Sequence, residues 1–302
     1  MNTDDYKLVN WQEGMDIRAA HFLQLENYFI ECLRDRQAIR LNKNTYGLLP
    51  VKEGSDNSTE FDISERITGQ VEIKLRRCNA LTQGGFRIAY NPERSNFILY
   101  THTFTEKKEE SGSIPGYWDV ILSANPFLRK PSGIPDAETI PPLHPDAVES
   151  YRLSIAGQGK INYDEQGRFH LVIGRIRKNG ERYEVDTAYI PPSTTMSSHA
   201  DLIRYYENFG VYLNEIEKTS EKIISKIRNR TQNTSLAYHI NRICEEITRY
   251  IAGIYFIYRN EGRDMPPVYF VNFIATLAHV CRISLDFTGK TEKEEVLKYF
   301  YE

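Results

Sequence analysis

Tyr189-Ile190-Pro191-Pro192-Ser193-Thr194-Thr195 divides the chain into two regimes of hydrophobic periodicity. Adjacent prolines lack the N–H groups that a sheet ladder needs, so a strand ends here. The hydroxyl-rich triplet after them reads as a hinge. Before this stretch apolar residues alternate with polar ones, and after it they recur every three or four positions. Those two periods belong to strands and to helices. The predicted fold class is α+β multidomain: an antiparallel β-sandwich or barrel-like first domain over residues 1–192, then an α-helical bundle over 193–302.

Downstream of the prolines, Leu202, Tyr206, Phe209, Leu213, Ile216, Ile223 and Ile227 mark a first long helix. Gly210 lies inside it, where glycine costs about 1 kcal/mol relative to alanine, so a close neighbour is expected there. Leu236, Ile240, Ile243, Ile247, Ile251, Ile254 and Tyr258 follow at spacings of 4, 3, 4, 4, 3 and 4, the most regular stripe in the chain. Such a stripe is the seam of a bundle or of an oligomer, and periodicity does not separate the two. Pro266-Pro267 opens a third helix through Phe270, Phe273, Leu277 and Cys281, and Thr291 with Glu294 reads as the capping box of a fourth.

Upstream the period is two. Val71, Ile73 and Leu75 alternate with Glu72, Lys74 and Arg76, and Phe86, Ile88 and Tyr90 repeat the pattern after Gly84-Gly85. Phe169, Leu171 and Ile173 alternate with Arg168, His170 and Val172, while Phe97 to Thr103, Tyr117 to Leu122 and Tyr151 to Ile155 add further strands. Asn179-Gly180 before the run Tyr183 to Ala188 signals a tight hairpin. Pro126 to Pro145 holds several prolines and no period, which predicts a long surface loop. Near the start, Asp16 is placed to cap a helix whose Phe22, Leu25, Phe29 and Leu33 share one face, with a turn following at Asn42-Lys43-Asn44.

Composition excludes several classes. A net charge of -3 over 302 residues sets up no strong field for nucleic acid or an anionic membrane. No run of about 20 apolar residues predicts a membrane-spanning helix, and the acidic start Met1 to Tyr6 lacks the pattern of a signal peptide. Cys32, Cys78, Cys244 and Cys281 lie far apart without a C-x-x-C pair, which predicts reduced, mostly buried thiols in a cytoplasmic setting. Nucleophile elbow, P-loop, dinucleotide fingerprint and H-E-x-x-H are all missing from the sequence, so no enzyme activity, cofactor or metal is expected. Asp62, Glu65, Glu72 and the run Glu106 to Glu110 are carboxylates of a strand face and a loop, not an acid–base pair. Arg228, Arg230, Arg242 and Arg249 interleave with Glu215, Glu245 and Glu246, as on a solvated face.

One motif points to a family. Val9-Asn10-Trp11-Gln12-Glu13-Gly14-Met15, closed by His21-Phe22-Leu23-Gln24, resembles the amino-terminal signature of the TssK family, the trimeric baseplate connectors of bacterial type VI secretion systems. The family pattern runs V-x-W-x-E-G-M, two apolar residues, then P-Q-H-F-x-Q; here Asp16-Ile17-Arg18-Ala19-Ala20 fills the middle. Leu171-Val172-Ile173-Gly174-Arg175-Ile176 with Tyr189-Ile190-Pro191-Pro192 resembles the last strands and exit of the family's first domain. Pro266-Pro267-Val268-Tyr269 is similar to the proline and tyrosine that open a helix of its middle domain.

The resemblance implies a homotrimer that grips the wedge proteins TssF and TssG by its first domain, in the cytoplasm and peripheral to the inner membrane. Trp11, Glu13, Gly14, Met15, His21, Phe22 and Gln24 are then candidate partner-binding residues. Leu236, Ile240, Ile243, Ile247, Ile251, Ile254 and Tyr258 become an oligomer or bundle seam. The family's third, carboxy-terminal domain, which docks onto the membrane complex, has no expected counterpart here, so that complex would be met only indirectly. Neither nucleic-acid binding nor direct membrane insertion is implied. A second reading, from another class, is a receptor- or carbohydrate-binding sandwich with a helical trimerisation stalk, as on phage tails. Its candidate platform is Tyr117-Trp118-Asp119, an aromatic beside a carboxylate.

Overall fold

Alternation in the first part of the chain becomes two antiparallel sheets, entered through a helix, α1 (Ala19–Ala38). The computed structural model describes residues 6–51, 57–67, 69–92, 98–104, 116–160, 169–229, 234–287 and 290–301. These fall into two units, Met1–Thr194 and Thr195–Glu302. In the first unit, β3 (Gln70–Leu81) pairs with β1 (Gly47–Leu48), β2 (Thr59–Ile67), β4 (Arg87–Tyr90) and β5 (Leu99–Thr103). A second sheet has the order β7 (Asp146–Gly157), β6 (Tyr117–Ser132), β8 (His170–Asn179), β9 (Arg182–Val185). Val71, Ile73 and Ile88 from one sheet share a buried cluster with Val120, Leu122 and Leu171 from the other, so the two faces pack together as a sandwich.

Bulges explain where the sequence pattern stops. In β3 the buried residues are Val71, Ile73 and Leu75, then Cys78 and Ala80, a change of phase. Glu60 pairs with Arg77 and Phe61 with Leu75, which leaves Arg76 as the extra residue of a β-bulge. A bulge opposite Val120 and Ile121 likewise leaves Ile173 unpaired in β8. Gly174 follows it because a Cβ there would run into the Phe61 ring. The Asn179-Gly180 hairpin closes with Asn179 paired to Arg182, so Gly180 and Glu181 form the turn. β1 and β2 are not among the strands expected from the sequence. Phe97, Arg168, Arg230 and the run Glu106 to Glu110 lie outside the described residues.

Two expectations are corrected in this unit. The stretch from Pro126 to Pro145 is not one long loop: β6 continues to Ser132 and pairs with β7 through Arg129–Glu149, Lys130–Val148, Pro131–Ala147 and Ser132–Asp146. Pro131 is tolerated because β8 accompanies β6 only as far as Ser123, leaving an open edge where no N–H is required. Nor is the stretch after the prolines a free hinge. Leu48 N–H donates to the Pro192 carbonyl (2.7 Å), Thr194 N–H donates to the Leu48 carbonyl (2.9 Å), and Ser193 is buried. Gly47 (φ +123°) makes this crossing possible, since a Cβ would collide with the Pro192 carbonyl.

The second unit contains α2 (Ala200–Asn229), α3 (Ser235–Glu261), α4 (Pro267–Asp286) and α5 (Lys290–Tyr301). Thr234 caps α3 by accepting from Ala237 N–H (3.1 Å). Tyr206 and Tyr258 clasp α2 to α3: each hydroxyl donates to the other's carbonyl, at 2.9 and 2.6 Å. Gly210 belongs to that clasp, because a Cβ there would meet the Tyr258 hydroxyl. Ile240 and Ile243 pack with Cys244 and Val296 of α5, and Leu236 and Ile247 lie against the same cluster. Ile251 and Tyr258 are buried and Ile254 is half-buried. Thr291 falls within α5, not at its N-cap. One further expectation changes: α4 is long and apolar enough, by length and composition, to cross a membrane. Its Phe270, Phe273 and Leu277 are buried, with the Phe270 ring 5.0 Å from that of Phe209.

Candidate functional site

The amino-terminal motif forms an exposed turn leading into α1. Met15 N–H donates to the Gln12 carbonyl (3.2 Å), and Gly14 supplies the positive φ of +76° that the third turn position needs. The Trp11 ring stands edge-on to His21 (6.1 Å between centroids) and tilted against Phe22 (6.4 Å). His21 Nδ1 accepts from Arg18 N–H at 3.2 Å. Asp16, expected as the cap, instead pairs with Arg18 Nε at 3.0 Å, and the helix starts at Ala19. Glu13 and Gly14 are exposed and Met15 is half-buried, while Gln24 Nε2 donates to the Lys7 carbonyl (2.9 Å). The turn and first helical turn thus bring Trp11, His21 and Phe22 together.

α1 is then fixed with its polar side inward. Glu31 accepts from Tyr6 N–H (3.0 Å) and pairs with Arg34 (3.3 Å), whose guanidinium lies 5.5 Å over the Phe169 ring. Arg129 of β6 pairs with Glu26 and donates to Asn27 Oδ1 at 3.0 Å. Gly85 lets the helix approach, as a Cβ would press on the Arg34 carbonyl. Gln24, Asn27, Glu31, Arg34 and Ala38 therefore share the sheltered side. Of the stripe read from the sequence, Phe22, Phe29 and Leu33 are each more than half exposed and Leu25 is half-buried, and no described residue of α1 is buried. The apolar face looks outward, reversing the usual orientation of an amphipathic helix on a core. Exposed apolar patches of this kind mark partner surfaces.

The other candidates take ordinary structural roles. Trp118 packs against Phe104 (4.5 Å) and Tyr183 (5.6 Å), while Asp119 is buried and paired with Arg175 at 2.9 Å. Tyr117-Trp118-Asp119 is therefore no open sugar platform, and that reading loses its motive. Asp62 pairs with Arg76, and Glu65 accepts from Gly69 N–H (3.3 Å). Arg228 pairs with Glu245, Arg249 with Glu246, and Arg242 lies over the Phe287 ring at 5.0 Å. Among the described residues, no three His, Cys, Asp or Glu side chains gather as a metal site. The cysteines are free, and burial pushes the Cys78 thiol up to about 12.

Burial also holds the His102 imidazole below its ordinary value of 6.5. The unfolded chain then binds that proton more readily than the folded one. Stability from His102 is present above about pH 6.5 and is lost as pH falls through the folded value. The β unit should melt at a lower temperature at about pH 5 than at about pH 7.5, and His102→Gln should narrow the gap. An unchanged gap would assign the acid sensitivity to other groups.

A sandwich entered by an exposed helix and followed by a helical bundle is the fold the chain shares with solved structures of TssK. A crystal structure of TssK superposes with a TM-score of 0.55 and 16% identity, covering 91% of this chain and 61% of that one. TssK from the EAEC system, solved with a nanobody, gives 0.52 and 13%, covering 88% and 87%. A chain of a TssK-TssF-TssG baseplate subcomplex gives 0.51 and 15%, covering 93% and 88%. The chain thus spans 61% of the first of these proteins. No family model and no curated protein matches it in sequence.

Proposed function

We propose that this chain is a structural, non-catalytic subunit of a type VI secretion baseplate. It acts as a homotrimeric connector that holds the wedge proteins TssF and TssG through its first domain. The observation that carries this reading is the outward apolar face of α1, which needs a cover, with Trp11 and Phe22 at its head. The likeness to a TssK that was solved together with TssF and TssG supports the choice of partner. Trp11, Glu13, Gly14, Met15, His21, Phe22 and Gln24 line the wedge contact. The stripe Leu236 to Tyr258 holds each bundle, and bundles of three copies pack around a common axis. The assembly works in the cytoplasm and lies against the inner membrane through the rest of the baseplate. It reaches the membrane complex only indirectly, inserts no helix into the bilayer and binds no nucleic acid.

Co-purification with TssF and TssG tests the contact. Burying each phenylalanine ring stabilises a complex by about 1.5–3 kcal/mol, so Phe22→Glu with Phe29→Glu should weaken wedge binding by at least roughly 100-fold. The melting curve should stay in place, because both side chains are already exposed. Trp11→Ala should give a smaller loss of the same kind. Wild-type retention by the double variant would remove the assignment. Light scattering of the intact chain should give three times 35.1 kDa, and a single-chain mass would count against the trimer.

A further inference from the structure

The β6–β7 hairpin runs beyond its sheet as an arm. From 133 to 149 every residue except Thr139 and Val148 is exposed. The tip is nevertheless ordered by its own bonds. Asp136 N–H donates to the Leu143 carbonyl (2.8 Å), Leu143 N–H donates to Thr139 Oγ1 (2.9 Å), and Glu138 N–H donates to Asp136 Oδ1 (2.9 Å). A preordered tip loses little freedom on docking. It presents Ile134, Leu143 and Ile140, the last 99% exposed. Residues 133–149 contain Asp136, Glu138, Asp146 and Glu149 and neither lysine nor arginine.

The carboxy-terminal end of α1 has the reciprocal character. Ile39, 84% exposed, stands among exposed Arg36, Arg40 and Lys43, and the one exposed carboxylate beside them, Asp35, is paired with Arg34. Both surfaces are uncovered within one chain. Arg129, at the base of the arm, is tied to Glu26 and Asn27 in the other half of α1. We propose that the acidic, aliphatic tip of the arm docks on the basic, aliphatic end of α1 in a second copy of this chain. The inference rests on the multi-copy reading above and adds the contact that links neighbours. A head-to-tail contact of this kind joins two different surfaces and closes into a ring when the rotation allows. It leaves the wedge-facing end free, because Phe29 and Ile39 lie 10 positions apart, roughly 15 Å along the helix axis.

Ile39→Cys and Ile140→Cys, each in a Cys32→Ser background, are produced separately and also co-expressed, then treated with a short bismaleimide. The co-expressed pair should give a band at twice 35.1 kDa, at least about fivefold stronger than either variant alone. Raised salt should weaken it, since the charges sit at the surface. Adding Asp136→Lys with Glu138→Lys should remove the band, and adding Arg36→Glu with Arg40→Glu as well should restore it. A trimeric mass by light scattering without the band overturns the arm contact and spares the connector. A single-chain mass overturns both. A band indifferent to charge reversal also overturns the proposed contact, because the pairing would then not be electrostatic.

Discussion

Ile243→Asp should abolish the cooperative melting of the helical unit while leaving the transition of the β unit in place. Ile243 is 4% exposed and packs with Ile240, Cys244 and Val296. Truncating such a side chain alone costs about 2–5 kcal/mol through lost transfer and the cavity left behind. A carboxylate put in its place meets the aliphatic and thiol neighbours of this cluster, which adds several kcal/mol of desolvation. Together these reach the roughly 5–15 kcal/mol that holds a whole domain folded. Ile243→Val, which keeps the shape, should cost only about 0.5–1.5 kcal/mol. Far-UV circular dichroism during heating separates the cases, since the helical signal comes mainly from this unit. A melting temperature for Ile243→Asp within a few degrees of the parent would mean that the side chain is not in the core.

Asp119→Ala should destabilise the β unit by about 3–5 kcal/mol, far more than loss of its surface ion pairs. Asp119 and Arg175 are opposite one another across β6 and β8, with side chains 7% and 18% exposed. Asp119 Oδ1 takes Arg175 Nε at 2.9 Å and Oδ2 takes Gly159 N–H at 3.4 Å. The guanidinium also lies 4.1 Å over the Tyr189 ring. Tyr189 feels the same enclosure: burial raises its hydroxyl, the Asp119 charge adds to that, and Arg175 opposes it. Removing the carboxylate leaves a largely buried cation with a π face as its remaining neighbour in this group. Arg177 and Glu184, each 41% exposed, should contribute no more than about 1 kcal/mol. Replacing both buried partners, as Asp119→Leu with Arg175→Met, should recover most of the loss, because the penalty comes from the unpaired charge. Denaturant unfolding measures all three; a double variant no better than Asp119→Ala would put the cost in packing.

Sequence reading succeeded where periodicity and environment agree. The stripe through Ile240, Ile243 and Ile251 is regular because one face of α3 is covered along its length, and Gly210 pointed to a neighbour that proved to be Tyr258. Apart from β1 and β2, strand existence was legible, but strand length was not. One extra residue at Arg76 moves every later side chain of β3 to the opposite phase, so alternation ends on paper while the strand goes on. The arm was misread because proline is a poor strand former only where its missing N–H would have a partner. At the amino terminus, the 3.6 period revealed an apolar face on α1 without its direction. That direction depends on Tyr6, Arg129 and Phe169, which reach the polar face from distant parts of the chain. Asp16 failed as a cap because Arg18, two residues on, competes for its carboxylate.

The outward face of α1 ties the abundance of this chain to that of whatever covers it. An orphan copy carries a helix-long apolar surface into crowded solvent, where self-association and chaperone capture compete with assembly. Produced in excess of its cover, such a chain is lost to aggregation or proteolysis; produced in proportion, it accumulates. Dosage thereby becomes a structural property, set by the direction in which four turns of one helix happen to face.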